Sequence, residues 1–189
     1  MKTDREKWDR RYQAESEDFG SPDEFLLEHG LLLTSGRALD LACGLGANAI
    51  FLAQCGYAVD ALDISFVALS KLVAESRRRG LDIGCVVADL DDFPVPQARY
   101  DLIVVFYFFS MHLLRPIKDS LKQNGLLVYA TFNERHTSLR PEFNPAYLVK
   151  PDALAGYFSD FDVLTHETDA GEARNVSRLV ARKKVITSG

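Results

Sequence analysis

Short apolar runs alternate with helical patterns along most of the chain. Thr3–Ala14 sets Trp8 and Tyr12 four apart among charges, which predicts a short helix with both rings on one face. Ser21-Pro22-Asp23-Glu24 predicts a second helix, with Ser21 as N-cap, Pro22 in the first helical position and Gly30 as its stop. Ala38–Ala42 is a short buried strand that runs into Cys43-Gly44-Leu45-Gly46. Asn48–Cys55 follows as a helix closed by Gly56, and Tyr57–Leu62 as a second strand. Ser65 opens a helix that ends in Arg77-Arg78-Arg79-Gly80, with basic residues at the negative end of its dipole. Ile83–Val87 and Tyr100–Phe106 are the third and fourth strands. The fourth is apolar throughout after Asp101, as suits a strand covered on both faces. A helix to Gln123, stopped by Asn124-Gly125, leads into a fifth strand, Leu126–Phe132.

The remainder departs from this alternation. Residues 133–150 form one long irregular segment that, with Phe132 at its head, holds Phe143 and Tyr147, which predicts a lid-like loop. Pro151–Phe158 is a helix. Phe161–Glu167 and Val176–Ala181 are two strands that form a terminal hairpin. The fold class is therefore α/β, a doubly wound, seven-stranded, mostly parallel sheet with a C-terminal antiparallel hairpin. The expectation is a single domain over 1–189, with 1–36 as an N-terminal helical cap. Ligands on such sheets lie beyond the carboxyl ends of the strands, so the chemistry belongs in the turns after the first four strands.

Composition narrows the field. With 189 residues, 47% hydrophobic and 26% charged, the chain is long enough for one real core. A formal net charge of −5 weighs against general nucleic-acid binding. The longest apolar run, Leu102–Phe109, is far short of a membrane span, and the charged N-terminus has no apolar signal core. Cys43, Cys55 and Cys85 are too few and too scattered for a disulfide framework or zinc site, so a cytoplasmic protein is expected.

Four turns carry the candidate chemistry. The first, Asp40-Leu41-Ala42-Cys43-Gly44-Leu45-Gly46-Ala47-Asn48, has glycines that let the backbone turn tightly and approach a ligand. Gly44, Gly46 and Ala49 alone match a weak dinucleotide fingerprint, but Asp40 would repel a pyrophosphate and attract an ammonium or sulfonium group. The second turn ends in Asp63, placed to accept two ribose hydroxyls, with Ile64 against an adenine face. The third offers Asp89 to an adenine amino group and the Leu90 N–H to a ring nitrogen. The fourth delivers Phe106-Tyr107-Phe108-Phe109 as an aromatic wall. Asp89, Asp91 and Asp92 have no evident fourth ligand, so no metal is expected.

With these turns in order, the chain resembles the class I S-adenosylmethionine-dependent methyltransferases from about Trp8 to Lys184. More narrowly it resembles the small bacterial tellurite-resistance and thiopurine-type enzymes. Lys7-Trp8-Asp9-Arg10-Arg11-Tyr12, Asp40-Leu41-Ala42-Cys43-Gly44-Leu45-Gly46, Asn144-Pro145-Ala146-Tyr147-Leu148 and Leu179-Val180-Ala181-Arg182-Lys183 carry that likeness. The resemblance implies a Rossmann-like methyltransferase fold and methyl transfer from S-adenosylmethionine to a small-molecule acceptor, a thiol or a tellurium or selenium oxyanion. The departures are Ala42 in place of the usual first glycine and Ala47 in place of a frequent Arg. His166 and Arg174 lie where the tellurite enzymes carry a His-Arg pair, without the same local pattern.

The candidate cofactor-binding residues are Asp40, Ala42, Cys43, Gly44, Gly46, Asn48, Asp63, Ile64, Asp89, Leu90 and Phe106, with Trp8 and Tyr12 as a cap over the site or a staple for the first helix. Tyr107 and His112 are the catalytic candidates, His112 as a general base or else a surface residue of the next helix. Arg135, His136, Tyr147 and Arg174 are the candidate substrate contacts. The expected partner is a small molecule, with neither nucleic acid nor membrane, and the expected state is a monomer or homodimer. The rival readings are a non-catalytic S-adenosylmethionine-binding module and a nucleotide-dependent oxidoreductase.

Overall fold

The computed structural model describes residues 2–14, 18–92, 94, 96–170 and 175–185, less the side chains of 2, 3, 169 and 170. By packing, the chain divides into two compact units, Met1–Pro94 and Val95–Gly189. Seven strands follow the order β3 (Ile83–Val87), β2 (Tyr57–Asp63), β1 (Gly36–Leu41), β4 (Tyr100–Phe106), β5 (Leu121–Phe132), β7 (Val176–Arg182), β6 (Asp162–Ala170).

The first unit holds β1 (Gly36–Leu41), β2 (Tyr57–Asp63) and β3 (Ile83–Val87). The three are parallel, with Asp40 beside Ala61 and Ala61 beside Cys85, so all their carboxyl ends open on one edge. Between them run α3 (Ala47–Gln54) and α4 (Phe66–Arg79), preceded by α1 (Lys2–Ala14) and α2 (Glu24–Glu28). α4 is built as its sequence predicts. Ser65 accepts from the Ala68 N–H at its start, Ala68, Leu69 and Leu72 are buried, and Gly80 ends it in the left-handed conformation. Its neighbour α2 corrects the expectation. The N-cap is Asp23, whose carboxylate accepts from the Phe25 N–H, not Ser21; Gly30 then opens a short 3-10 turn rather than ending the structure. An Asp nearer the apolar pair Phe25-Leu26 caps the turn that buries them.

The second unit contains β4 (Tyr100–Phe106), α5 (Leu114–Ser120), β5 (Leu121–Phe132), α6 (Ala153–Tyr157), β6 (Asp162–Ala170) and β7 (Val176–Arg182). Leu102, Ile103, Val104 and Val105 are each 0% exposed, so β4 is covered on both faces as its composition demanded. β4 and β5 are parallel, whereas β7 runs antiparallel to both β5 and β6. Residues 121–125 are a second correction. The helix ends at Ser120, whose hydroxyl donates to Pro116 O, because Leu121 already pairs with Tyr100. Asn124, at φ +63°, turns within an irregular stretch of β5 instead of stopping a helix. The 133–150 segment is pinned at both ends: Asn133 and Val149 form a β-bridge, and the Val149 N–H donates to Phe132 O. Among the described residues, no helix is long and apolar enough to cross a membrane.

Gly46 shows how tightly the first unit is closed beneath its edge. Its φ is +83°, and a Cβ there would lie 2.6 Å from both Leu72 methyls. Leu72 is fully buried and has no room to swing aside. Gly46→Ala should therefore lower the thermal midpoint by about 5–10 °C, from left-handed strain and overpacking together. Combined with Leu72→Ala it should cost less than the sum of the two single changes. A midpoint equal to that of the parent would contradict this packing.

Candidate active site

The turn after β1 is built around three residues of unusual backbone. Ala42, Gly44 and Gly46 have φ of +57°, +56° and +83°. Ala42 thus takes the left-handed conformation that a glycine supplies without strain, which explains why glycine is usual there. The Cys43 N–H donates to Leu62 O, tying the turn to β2. A Cβ on Gly44 would sit 2.7 Å from the Tyr12 hydroxyl, so a side chain there would push the Tyr12 ring aside.

Two buried carboxyls stand at the ends of β1 and β2. Asp63 is 6% exposed; its Oδ2 accepts from the Gly44 N–H and its Oδ1 from the Ser65 N–H, each at 2.8 Å. These bonds favour its ionised form, yet burial outweighs them and holds its pKa above the ordinary carboxylate range. Each oxygen retains a second lone pair, so the carboxylate can still accept from a ligand. Asp40 is 1% exposed, and its Oδ2 has no hydrogen-bond partner among the described residues. Burial, with the charge of Asp63 added, pushes its pKa up to about 8; a hydrogen bond from the Ala49 backbone works in the opposite sense. The same burial, and the charges of Asp40 and Asp63, push the Cys43 thiol up, so Cys43 is a neutral packing residue rather than a nucleophile.

The other candidates of this unit fall into two groups. Ile64, half-buried, and Leu90, 6% exposed, stand with half-buried Asp89 in the turns after β2 and β3. Asp89 Oδ1 accepts from the Asp91 N–H, which shapes its own turn. Trp8 and Tyr12 stack at 5.9 Å along α1, and Tyr12 covers Gly44. Asn48 is placed differently: its Oδ1 accepts from the Asp23 N–H, so it holds the start of α2.

In the second unit, Tyr107 leaves β4 at φ +56°, its N–H donating to Ala130 O at 2.7 Å. Such strain in a non-glycine residue costs about 1–2 kcal/mol and turns the ring out of the strand. The ring lies 5.2 Å from Phe132, while Phe106 is buried beside it at 6.4 Å. Phe132 stacks on His136 at 4.1 Å, and Phe143 meets both edge-on. Tyr107, Phe132, His136 and Phe143 therefore form one aromatic cluster, with His136 buried in it. His112 and Arg135 are exposed on 3-10 turns, and Tyr147 is exposed on another. Arg174 lies outside the described residues. Half-buried His166 pairs in register with Leu179.

Asp9 and Ser65 were not singled out as site residues in the sequence, and Phe132 entered only as an aromatic of the lid. Asp9 accepts from Ser65 Oγ at 2.6 Å and from the Val67 N–H at 3.1 Å. Its partners lie more than fifty positions along the chain, and no local pattern marks such a contact.

Residues 38–125 match the family described as a methyltransferase domain. Hemagglutinin 1 of Eikenella corrodens is 25% identical over 169 residues, covering 79% of this chain and 55% of that protein. A probable S-adenosyl-L-methionine-dependent methyltransferase, TehB of Haemophilus influenzae, is 24% identical over 150 residues, covering 75% and 51%. The chain thus spans about half the length of these curated relatives. The solved structure of TehB superposes with a TM-score of 0.71 at 19% identity, covering 84% of this chain and 61% of that one. A structure concerned with conversion of a disulfide bond into a thioacetal group during echinomycin biosynthesis gives 0.74 at 21%, covering 95% and 92%. The structures speak to the fold alone. With the sequence matches, residues 38–125 resemble the methyltransferase domain of the class I S-adenosylmethionine-dependent enzymes, TehB among them, and S-adenosylmethionine is the cofactor which that likeness implies.

The residues present suit that cofactor. A buried acid with an unpartnered oxygen beside a glycine turn is complementary to a cationic ligand. The folded protein holds the Asp40 proton up to about pH 8, whereas the unfolded chain releases it near 3.8. Stability should therefore fall as pH rises from 5 to 8, by about 1 kcal/mol per unit from this group. Asp40→Asn should remove that component, matching the parent at pH 5 and exceeding it at pH 8 in denaturant unfolding. Parallel profiles for the two proteins would contradict the buried, protonated acid.

Proposed function

We propose that the chain transfers a methyl group from S-adenosylmethionine to a small, soft acceptor, a thiol or a tellurium or selenium oxyanion, with residues 1–189 working as one methyltransferase domain. The observation that carries this reading is Asp40 Oδ2, which has no hydrogen-bond partner among the described residues and is buried at the end of β1 beside a turn that holds Ala42, Gly44 and Gly46 at positive φ. Bound S-adenosylmethionine supplies a methyl group on a positively charged sulfur, already a strong electrophile. Asp40 would attract its positive charge, Asp63 would accept the ribose hydroxyls, and Ile64, Asp89 and Leu90 would meet the adenine. Trp8 and Tyr12 would cap the site and exclude water.

The protein's task is then chiefly orientation, which contributes roughly 7–11 kcal/mol where two reactants are held in line. A soft nucleophile needs little help from a base, and the second unit offers aromatic faces in Tyr107, Phe132, His136 and Phe143. Tyr107 and His136 would position the acceptor within that cluster. Arg135 and Tyr147, on the loop that follows β5, would meet its outer part. His112, exposed on its turn, would serve an acceptor that must lose a proton.

Three outcomes test the reading. Asp63→Ala should weaken S-adenosylmethionine binding by roughly 1–3 kcal/mol, measured by calorimetry on the folded variant. At pH 7, cofactor binding should release up to about one proton from Asp40, read from the dependence of binding heat on buffer, and Asp40→Asn should abolish the release. With cofactor supplied, S-adenosylhomocysteine should accumulate with thiols, selenite or tellurite. Binding without turnover on any of them would favour the non-catalytic module instead.

A further inference from the structure

Three contacts fasten α1 to the segment where β2 passes into α4. Arg5 Nε donates to Ile64 O at 3.1 Å, and Lys71 Nζ donates to Tyr12 O at 2.7 Å. Between them, Asp9 Oδ1 accepts both from the Ser65 hydroxyl and from the Val67 N–H. Ser65 is the hinge of this arrangement. Its hydroxyl oxygen accepts from the Ala68 N–H while giving its proton to Asp9, and its own N–H donates to Asp63 Oδ1. Asp63 then reaches Gly44 through its other oxygen. A continuous run of hydrogen bonds joins Asp9 of α1 to Ser65, Asp63 and the glycine turn.

A carboxylate in a fixed pose accepts hydroxyl hydrogen bonds well only if its two oxygens point correctly, and here one of them is aimed by the Ser65 N–H. Ser65 in turn has two calls on its side chain, capping α4 and bonding Asp9, and both are met only while α1 is docked. Ser65 is 0% exposed, so no solvent replaces Asp9 without a change in packing. We infer that Asp9 is a positioning residue for the cofactor: it holds Ser65, and through Ser65 the Asp63 carboxylate, in the orientation that receives the ribose hydroxyls. This rests on the reading of Asp63 as the ribose acceptor. It also ties the docking of α1, which carries Tyr12 over Gly44, to the quality of the ribose site.

The test is S-adenosylhomocysteine binding by calorimetry to the full-length protein, with thermal unfolding of each variant alongside. Asp9→Ala should weaken affinity about tenfold, whereas Asp9→Asn, which keeps an accepting oxygen, should restore most of it. In an Asp63→Ala background, Asp9→Ala should cost nothing more, because its route to the ligand is gone. A 2′,3′-dideoxy analogue of the ligand should bind the parent and Asp9→Ala alike. If Asp63→Ala weakens binding but Asp9→Ala does not, or if the two losses add, the positioning role is overturned. If Asp63→Ala itself leaves affinity unchanged, the ribose reading fails first. If Asp9→Ala unfolds, the Asp9→Asn variant decides: it must retain affinity for the ribose ligand, and a tenfold loss there overturns the role.

Discussion

The backbone N–H groups of Gly44 and Ser65 converge on one buried carboxylate, and the geometry of the first unit's open edge depends on it. Asp63 joins the turn after β1 to the turn after β2 through a single side chain. Without it the glycine turn would keep the Cys43 N–H bond to Leu62 O but lose its bond to the adjacent acid. Leaving these donors unpaired in a buried place would cost about 1–3 kcal/mol each, so Asp63 serves the fold and the ligand with the same two oxygens. Around it, α1 is laid down by Arg5, Asp9 and Lys71, which all bond to, or from, the β2–α4 segment.

A second acid nearby makes the site costly. Asp40 is buried, and the charge of Asp63 adds to burial in disfavouring its ionisation. A fold selected for stability alone has no reason to keep a carboxyl oxygen buried without a partner, nor an alanine at positive φ in the same turn. Both features are expected where a cationic ligand completes the electrostatics and where the backbone must approach that ligand closely. Strain recurs at Tyr107, at the end of β4, where the chain again turns a side chain out of its strand.

Much of this was legible in the sequence because the signals were local. The Ser65 cap and the Gly80 stop of α4 are contained within the helix they bound, and both stand where the pattern placed them. The apolar run of β4 announced a strand buried on both faces. Legibility failed where a distant partner decided. Asn124-Gly125 reads as a helix stop, yet pairing of Leu121 with Tyr100 had already ended the helix. Ser21 looked like a cap, but Asp23 does that work, with its own N–H held by Asn48 Oδ1. Asp9 stood only as one residue of the first motif, because an acid on a charged helix is the least informative residue in a sequence. Only the fold reveals that it accepts from the Val67 N–H at the start of α4.

The most direct measurement of the central claim is a calorimetric titration of the unmodified protein with S-adenosylmethionine, with NADH and ATP as controls. The account predicts saturable one-to-one binding of S-adenosylmethionine and none of the two nucleotides, since Asp40 can ionise to meet a cation and offers nothing to a polyphosphate. Tight binding of NADH or ATP, or no binding of S-adenosylmethionine by a well-folded protein, would contradict it.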